Sequence, residues 1–153
     1  MRKIHLIKLS LLCVALVFLL IACAKETDAP KEEEPVTPTA PAKKFTWVIN
    51  GGATILASDS YFVPSFDNIV ASKGTATVDI ILDTLGKGTH NISPSFGITL
   101  DYNDGTNAYS GKSGAVVITE NTGAFISGTF TSSLIGGGST STITGEFSNV
   151  PKK

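Results

Sequence analysis

The chain has very few of the residues that build metal sites and nucleophilic catalytic sites. Of its 153 residues, only two are cysteine and two are histidine. His5 and Cys13 lie among the first 22 residues, which leaves Cys23 and His90 for the rest of the chain. A zinc site, a Cys-His pair or a Ser-His-Asp triad needs more such side chains than these. We therefore interpret His90 as a surface or strand-edge residue, and we expect no metal and no cofactor.

Positive charge is also scarce beyond the N-terminus. From Cys23 onward the sequence has nine lysines, no arginine and thirteen acids, so the formal net charge is 9 − 13 = −4. Proteins that bind nucleic acids or anionic surfaces present basic patches to them. The composition therefore argues against nucleic acid as a partner.

The first 22 residues have the layout of an export signal. Arg2, Lys3 and Lys8 precede a run of thirteen uncharged residues, 9–21, and small residues follow. A basic segment, a short apolar run and a small-residue cleavage site are typical of a secretory signal peptide. A membrane-spanning helix is the alternative, but it needs about 20 apolar residues, and this run is shorter.

The end of this signal is Leu20-Ile21-Ala22-Cys23. This tetrad resembles the lipobox of bacterial lipoproteins, in which cleavage occurs before a cysteine whose sulfur carries a diacylglycerol. Ordinary signal-peptide cleavage at Ala22-Cys23-Ala24 is the alternative. The resemblance implies that residues 1–22 are removed and that acylated Cys23 anchors the protein in a lipid bilayer, because several acyl chains hold a protein far more firmly than one.

Residues 23–44 read as the lipidated cysteine followed by a disordered tether. Four of the seven prolines lie here among lysine, glutamate, threonine and alanine, with no apolar period. Such a segment cannot bury enough apolar surface to offset the entropy of ordering. Lys25-Glu26, just after the cysteine, resembles the surface-export signal of Bacteroidota lipoproteins. This favours display on the outer membrane surface over retention on its periplasmic side.

Residues 45–153 show no apolar repeat of 3.6 residues that lasts for ten positions. Instead, apolar and polar residues alternate in runs that begin near residues 45, 76, 98, 116, 126 and 143. Turn residues such as Asn50-Gly51 and Gly136-Gly137-Gly138 separate the runs. Alternation buries one face of a sheet, and tight turns join antiparallel neighbours. We predict an all-β domain, formed as an antiparallel β-sandwich or as a curled, barrel-like meander.

The alternation also assigns individual side chains to faces of the sheet. In the last two runs Phe130 and Phe147 fall on the apolar face, on strands joined by the 136–138 loop. We therefore expect both rings to be buried on neighbouring antiparallel strands.

Three segments of the C-terminal third follow a recurring order: Gly114-Ala115-Val116-Val117-Ile118-Thr119-Glu120, Ile126-Ser127-Gly128-Thr129-Phe130 and Ile143-Thr144-Gly145-Glu146-Phe147-Ser148-Asn149-Val150. This order resembles that of a family of Bacteroidota lipoproteins whose all-β C-terminal domain has no assigned function. The resemblance implies an all-β lipoprotein and implies no particular chemistry.

Aromatic residues near predicted loops are the candidates for ligand contact. Tyr61, Phe62 and Phe66 lie in a predicted loop, 59–70, and Tyr109 follows the 103–105 turn. Aromatic side chains on loops stack on sugars or pack on protein partners, although core burial is the commoner fate of phenylalanine. We therefore predict a non-catalytic binding or structural module of the cell envelope, which contacts a glycan or an envelope protein.

The acidic residues support an alternative function, a small glycan-directed hydrolase or an inhibitor of one. A glycosidase needs two carboxylates close together. The candidate acids are Asp79, Asp83, Asp101, Asp104, Glu120 and Glu146. Because the alternation places Asp79, Asp101 and Glu146 on wetted faces, binding is the preferred prediction. An ordered cleft with two close acids would favour the hydrolase.

A further short motif suggests a modification site. Asp83-Thr84-Leu85 resembles the Asp-Ser/Thr-aliphatic sequon that Bacteroidota use for O-glycosylation. It marks Thr84 as the candidate acceptor. The alternative is a strand end that runs into the turn at Gly86.

Overall fold

A computed structural model describes residues 42–83, 86–95 and 97–153. The predicted signal peptide, Cys23, most of the tether and Thr84 lie outside these residues. The described residues are all-β, which confirms the predicted class, and none of their segments is a helix long and apolar enough to span a membrane. Their strands are β1 (Lys44–Ile49), β2 (Ile55–Leu56), β3 (Asp59–Val63), β4 (Asn68–Lys73), β5 (Ala76–Ile81), β6 (Gly88–Ile92), β7 (Thr99–Asn103), β8 (Ala108–Asn121), β9 (Phe125–Gly136) and β10 (Ser139–Pro151).

The strands form one antiparallel sheet in the order β2-β1-β10-β9-β8-β7-β5-β4-β3. Strand β6 also pairs with β8, because β8 is long enough to pair with β7 near its start and with β6 further along. The sheet curls so that β3 lies beside the end of the chain that follows β10: Phe62 forms a bridge with Lys152, and Lys153 N donates to Phe62 O (2.9 Å). Of the two predicted arrangements, the curled meander is therefore the one that forms.

The inner face of the curl holds the hydrophobic core. Phe130 and Phe147 are both buried on the adjacent strands β9 and β10, as predicted. Phe45 joins them from β1, with its ring centroid 5.5 Å from that of Phe130 and 6.0 Å from that of Phe147. Because three large aromatic side chains are buried together, this cluster contributes strongly to the stability of the fold.

Glycines opposite these rings make the close packing possible. Across β9 and β10, Phe130 pairs with Gly145 and Phe147 pairs with Gly128. A Cβ atom on either glycine would overlap the phenyl ring opposite it. Each ring therefore lies over bare backbone, which explains why glycine occupies inward positions in two otherwise apolar runs.

The predicted 59–70 loop is wrong, because this segment is the β3–β4 hairpin with a turn at residues 64–67. Its inward positions on β3 are Ser60 and Phe62, and both are buried. The polar Ser60 at an inward position interrupts the apolar alternation, so the strand could not be recognised by its period.

Thr46 lies on the outer face of β1 but is only 7% exposed. The reason is that β2 pairs with β1 at this position and places Leu56 opposite Thr46.

Candidate functional site

The structure separates the four aromatic residues that were predicted to contact a ligand. Phe62 is wrong as a contact residue, because its side chain is fully buried on the inner face of β3. Phe66 is 73% exposed in the turn between β3 and β4. Tyr61 points outward from β3, and Lys153 Nζ lies 4.4 Å from the centroid of its ring. Tyr109 is half-buried and stacks on Tyr102, with ring centroids 5.8 Å apart.

The turn that carries Phe66 is held in place by backbone hydrogen bonds. Phe66 N donates to Val63 O (3.2 Å), and Leu82 N donates to Asp67 O (2.8 Å). Asp67 has a φ of 49°, a left-handed conformation that aspartate tolerates better than most residues. The exposed ring of Phe66 is therefore presented on a defined turn, and Ile81, also exposed, lies at the near end of β5.

A row of outward side chains crosses the neighbouring strands and contains two acids. Strand register aligns Tyr61 with Val70, Val70 with Asp79, Asp79 with Asp101, and Asp101 with Ser110. We call this row the carboxylate row. Asp79 and Asp101 are directly opposite each other on β5 and β7, so two of the acids that sequence analysis assigned to wetted faces are cross-strand neighbours. Their proximity depends on β5 pairing with β7 instead of with β6, which alternation alone does not reveal.

Burial and charge raise the pKa of Asp79 above its ordinary value. Partial burial of the carboxyl is the larger cause, and the negative charge of Asp101 adds to it, while hydrogen bonding with Asn68 opposes both. The Asp79 Oδ1 atom is buried without a hydrogen-bond partner. The salt bridges among the described residues involve Asp59 and Glu146, and none reaches Asp79 or Asp101. The pair therefore concentrates uncompensated negative charge on one face of the sheet.

Two depressions in the surface meet at Asp101. One, of about 340 Å³, is lined by Asp79, Asp101, Tyr109 and Ser110 among others. The other, of about 260 Å³, shares Asp101 and Ser110 and extends toward Pro94. Carboxylate and hydroxyl oxygens thus lie between two concave surfaces. This arrangement suits a ligand that donates hydrogen bonds.

Tyr109 is positioned by the turn that precedes it. Asp104 accepts hydrogen bonds from Thr106 N (2.8 Å) and Asn107 N (2.7 Å), and these bonds lower the pKa of its carboxyl. Its other oxygen accepts from the Tyr109 hydroxyl at 3.4 Å. Asp104 therefore serves as a structural acceptor for the turn. Its carboxylate helps to hold the Tyr109 ring on the inner face of the sheet, where the ring stacks on Tyr102.

The remaining candidate residues lie apart from the carboxylate row. His90 Nε2 is 2.7 Å from Gly86 O, a hydrogen bond close to the start of β6, in agreement with its interpretation as a strand residue. Among residues 42–83, 86–95 and 97–153, no three His, Cys, Asp or Glu side chains come together as metal ligands. Another depression, of about 600 Å³, is on the outer face of β1, β10, β9 and β8, where threonine and valine predominate.

Comparisons of the chain with models of known protein families, with curated proteins and with solved structures find no match.

Proposed function

We propose that this chain is a lipid-anchored protein of the cell envelope whose β domain binds a glycan through the carboxylate row. The lipobox-like tetrad that ends at Cys23 supports the anchor, and Lys25-Glu26 supports display on the outer membrane surface. The observation that supports glycan binding most directly is the pairing of Asp79 with Asp101 between two surface depressions.

The chemistry of the row matches a polyhydroxylated ligand. Asp101 is exposed, and an ionised carboxylate accepts hydrogen bonds from sugar hydroxyls about twice as strongly as a neutral acceptor does. Ser110 beside it can donate as well as accept. Tyr61 lies at the far end of the row and points outward, so it supplies aromatic surface against which a sugar ring packs. The ring of Tyr109 stacks on buried Tyr102 on the inner face, so it lies outside the proposed contact surface.

A binding screen with an Asp101 variant tests this proposal. The full chain, reconstituted in vesicles, is screened against envelope glycans, and the strongest ligand is then titrated against Asp101→Asn. Loss of the charge is expected to weaken binding about tenfold, because a hydrogen bond to a charged group contributes roughly 1.5–3 kcal/mol and one to a neutral group roughly 0.5–1.5 kcal/mol. Glu146→Gln is the matched control, because it removes an acid from the outer face of another part of the sheet. A ligand that binds equally to Asp101→Asn and to the unaltered chain would refute the assignment of the site.

A glycan-directed hydrolase remains the second candidate, because one observation favours it. Two close carboxylates with different environments, one with a raised pKa, are the arrangement from which a general acid and a base or nucleophile are built. Incubation of the screened glycans with the chain distinguishes the two functions. Release of reducing ends that is abolished by Asp79→Asn would replace binding with hydrolysis as the proposed function. Binding of a glycan without its cleavage would support the proposed non-catalytic binding function.

A further inference from the structure

The sheet has a gap on one side of β8. Strand β7 pairs with β8 as far as Ser110, and β6 pairs with it from Gly114 onward. Between these two residues β8 pairs with β9 on one side, but on the other side no strand among the described residues pairs with it. The depression of about 260 Å³ lies at this gap, since Asp101, Ser110 and Gly111 all line it. The gap therefore adjoins the carboxylate row at Asp101.

Strand β8 has a bulge at this gap, and Lys112 is the extra residue. Gly111 pairs with Leu134 and Ser113 pairs with Ser133, so two steps along β8 match one step along β9. Gly111 is buried on the inner face, whereas Lys112 and Ser113 are both exposed. The bulge therefore turns Lys112 outward beside the gap. Bulges are common next to functional sites because they redirect a side chain in this way.

Packing and hydrogen bonding hold the bulge on both of its sides. A Cβ atom at Gly111 would lie 3.0 Å from Leu100 O and from Ser132 Oγ, so the close packing leaves little room for a side chain there. On the other side of the bulge, Ser113 O accepts a hydrogen bond from Ser132 Oγ (3.1 Å). The buried side chain of Ser132 thus contacts both sides of the bulge. The backbone of Lys112 therefore has a defined position next to the gap.

The ammonium group of Lys112 has no partner within the part of the chain that the structure describes. Lys43, Lys44 and Lys153 form salt bridges, and Lys152 Nζ donates to Asn121 Oδ1 (2.6 Å). Lys112, by contrast, forms neither a salt bridge nor a hydrogen bond with the described residues. Its three N–H donors are therefore available to a ligand.

Lys112 and Asp101 are diagonal neighbours on the outer face. Asp101 is directly opposite Ser110, and Lys112 follows Ser110 two residues later on β8. Diagonal neighbours on adjacent strands are roughly 7–8 Å apart, a distance that long side chains can span. None of the salt bridges among the described residues joins the two groups. A small polar group of a ligand can therefore lie between the carboxylate and the ammonium group.

We propose that Lys112 is a further contact residue of the glycan site and that, with Asp101, it selects sugars with two adjacent free hydroxyl groups. This role rests on the proposed glycan-binding function. Ionised carboxylates only accept hydrogen bonds, an ammonium group only donates them, and a hydroxyl group does both. One of two adjacent hydroxyls therefore donates to Asp101 while its neighbour accepts from Lys112. Each charged group then has a complementary partner on the same sugar.

Polysaccharides with and without adjacent hydroxyl groups test this role. The probes are fluorescently labelled dextran and mannan, each used untreated and after periodate oxidation and borohydride reduction, which cleave the sugar ring between adjacent free hydroxyls. Each probe is titrated against the full chain reconstituted in vesicles. At least one untreated polysaccharide is expected to bind. Its treated form is expected to bind about tenfold more weakly, because its hydroxyls are no longer held side by side for the two charged groups.

Variants of Lys112 show whether this residue recognises the hydroxyl pair. Lys112→Met removes the donors and is expected to weaken binding of the untreated polysaccharide about tenfold, with little effect on the treated form. Lys112→Arg keeps a charged donor and is expected to retain binding within about threefold. Lys73→Met is the matched control, because it removes another exposed lysine, at the end of β4 and outside the row. It is expected to leave binding unchanged.

Three results would overturn the role of Lys112. Equal binding by Lys112→Met and the unaltered chain would mean that this lysine only protects the unpaired side of β8. Equal binding of treated and untreated polysaccharide, or failure of both untreated polysaccharides to bind, would remove the selection of adjacent hydroxyls. Asp101→Asn separates this role from the proposed function. Binding that depends on Asp101 but not on Lys112 refutes only the role of Lys112, and binding indifferent to Asp101→Asn refutes the site itself.

Discussion

At the scale of single residues, three aspartates have different roles because of their neighbours. Asp104 accepts hydrogen bonds from two backbone amides, and Asp79 is partly buried opposite another acid. Backbone donors favour the charged form of the Asp104 carboxyl. Burial and the like charge of Asp101 disfavour the charged form of the Asp79 carboxyl. Asp101 differs again, because it is exposed between two depressions and is available to a ligand.

These environments predict opposite effects on stability. The pKa of Asp79 is raised in the folded protein, so ionised Asp79 opposes folding above that pKa. Asp79→Asn is therefore expected to increase the free energy of unfolding at pH 7 by about 0.2–1 kcal/mol, the cost typical of like charges across two strands. The gain should shrink as the pH falls through the raised pKa and vanish below the ordinary value of 3.8, where both states are protonated. Urea titrations of Asp79→Asn and of the unaltered chain at pH 7 and pH 3.5 measure this gain in the free energy of unfolding.

Asp104→Asn is the control, because it is expected to change the free energy of unfolding in the opposite direction. The folded-state pKa of Asp104 is lowered, so its stabilising contribution is present above the ordinary value of 3.8 and is lost as the pH falls through the lowered pKa. This variant is expected to destabilise the protein at pH 7. If both variants shifted stability in the same direction at pH 7, the contrast between the two environments would be wrong.

At the scale of elements, strands with alternating apolar residues were predictable and strands without that alternation were not. Strands β9 and β10 alternate over many residues, so sequence analysis placed Phe130 and Phe147 correctly. Strand β2 has only two residues, β6 has a single large apolar residue, Ile92, and β3 has a serine at an inward position. Alternation can be recognised only when apolar and polar residues alternate over several positions, and these segments do not do so.

The pairing of β9 with β10 is expected to contribute much of the stability. Phe147 is buried against Gly128 and Phe45, so Phe147→Ala leaves a cavity and is expected to cost about 3–5 kcal/mol. Phe66→Ala is the matched substitution of an exposed ring and should change stability by less than about 0.5 kcal/mol. Urea unfolding midpoints of the two variants provide the comparison. Equal midpoints would contradict the assignment of Phe147 to the core.

At the scale of the whole molecule, the proposed anchor decides where the β domain acts. The lipobox-like tetrad predicts that Cys23→Ala abolishes palmitate labelling of the chain and leaves an unprocessed or a soluble product. The reason is that acyl chains attached at this sulfur are the proposed hold on the bilayer. Cys13→Ala, within the predicted signal peptide, is the control and should leave labelling intact. Labelling that persists in Cys23→Ala would contradict the lipoprotein assignment.

The sequence by itself determined the all-β class and much of the core, because side-chain alternation is a local property of each strand. Only the tertiary structure decided that the sheet curls upon itself, that Phe62 is internal, and that Asp79 faces Asp101. The physical reason is that strand pairing and register depend on how all the inner side chains pack together. Residues 22 positions apart become neighbours through β5 and β7, with β6 diverted to another part of β8.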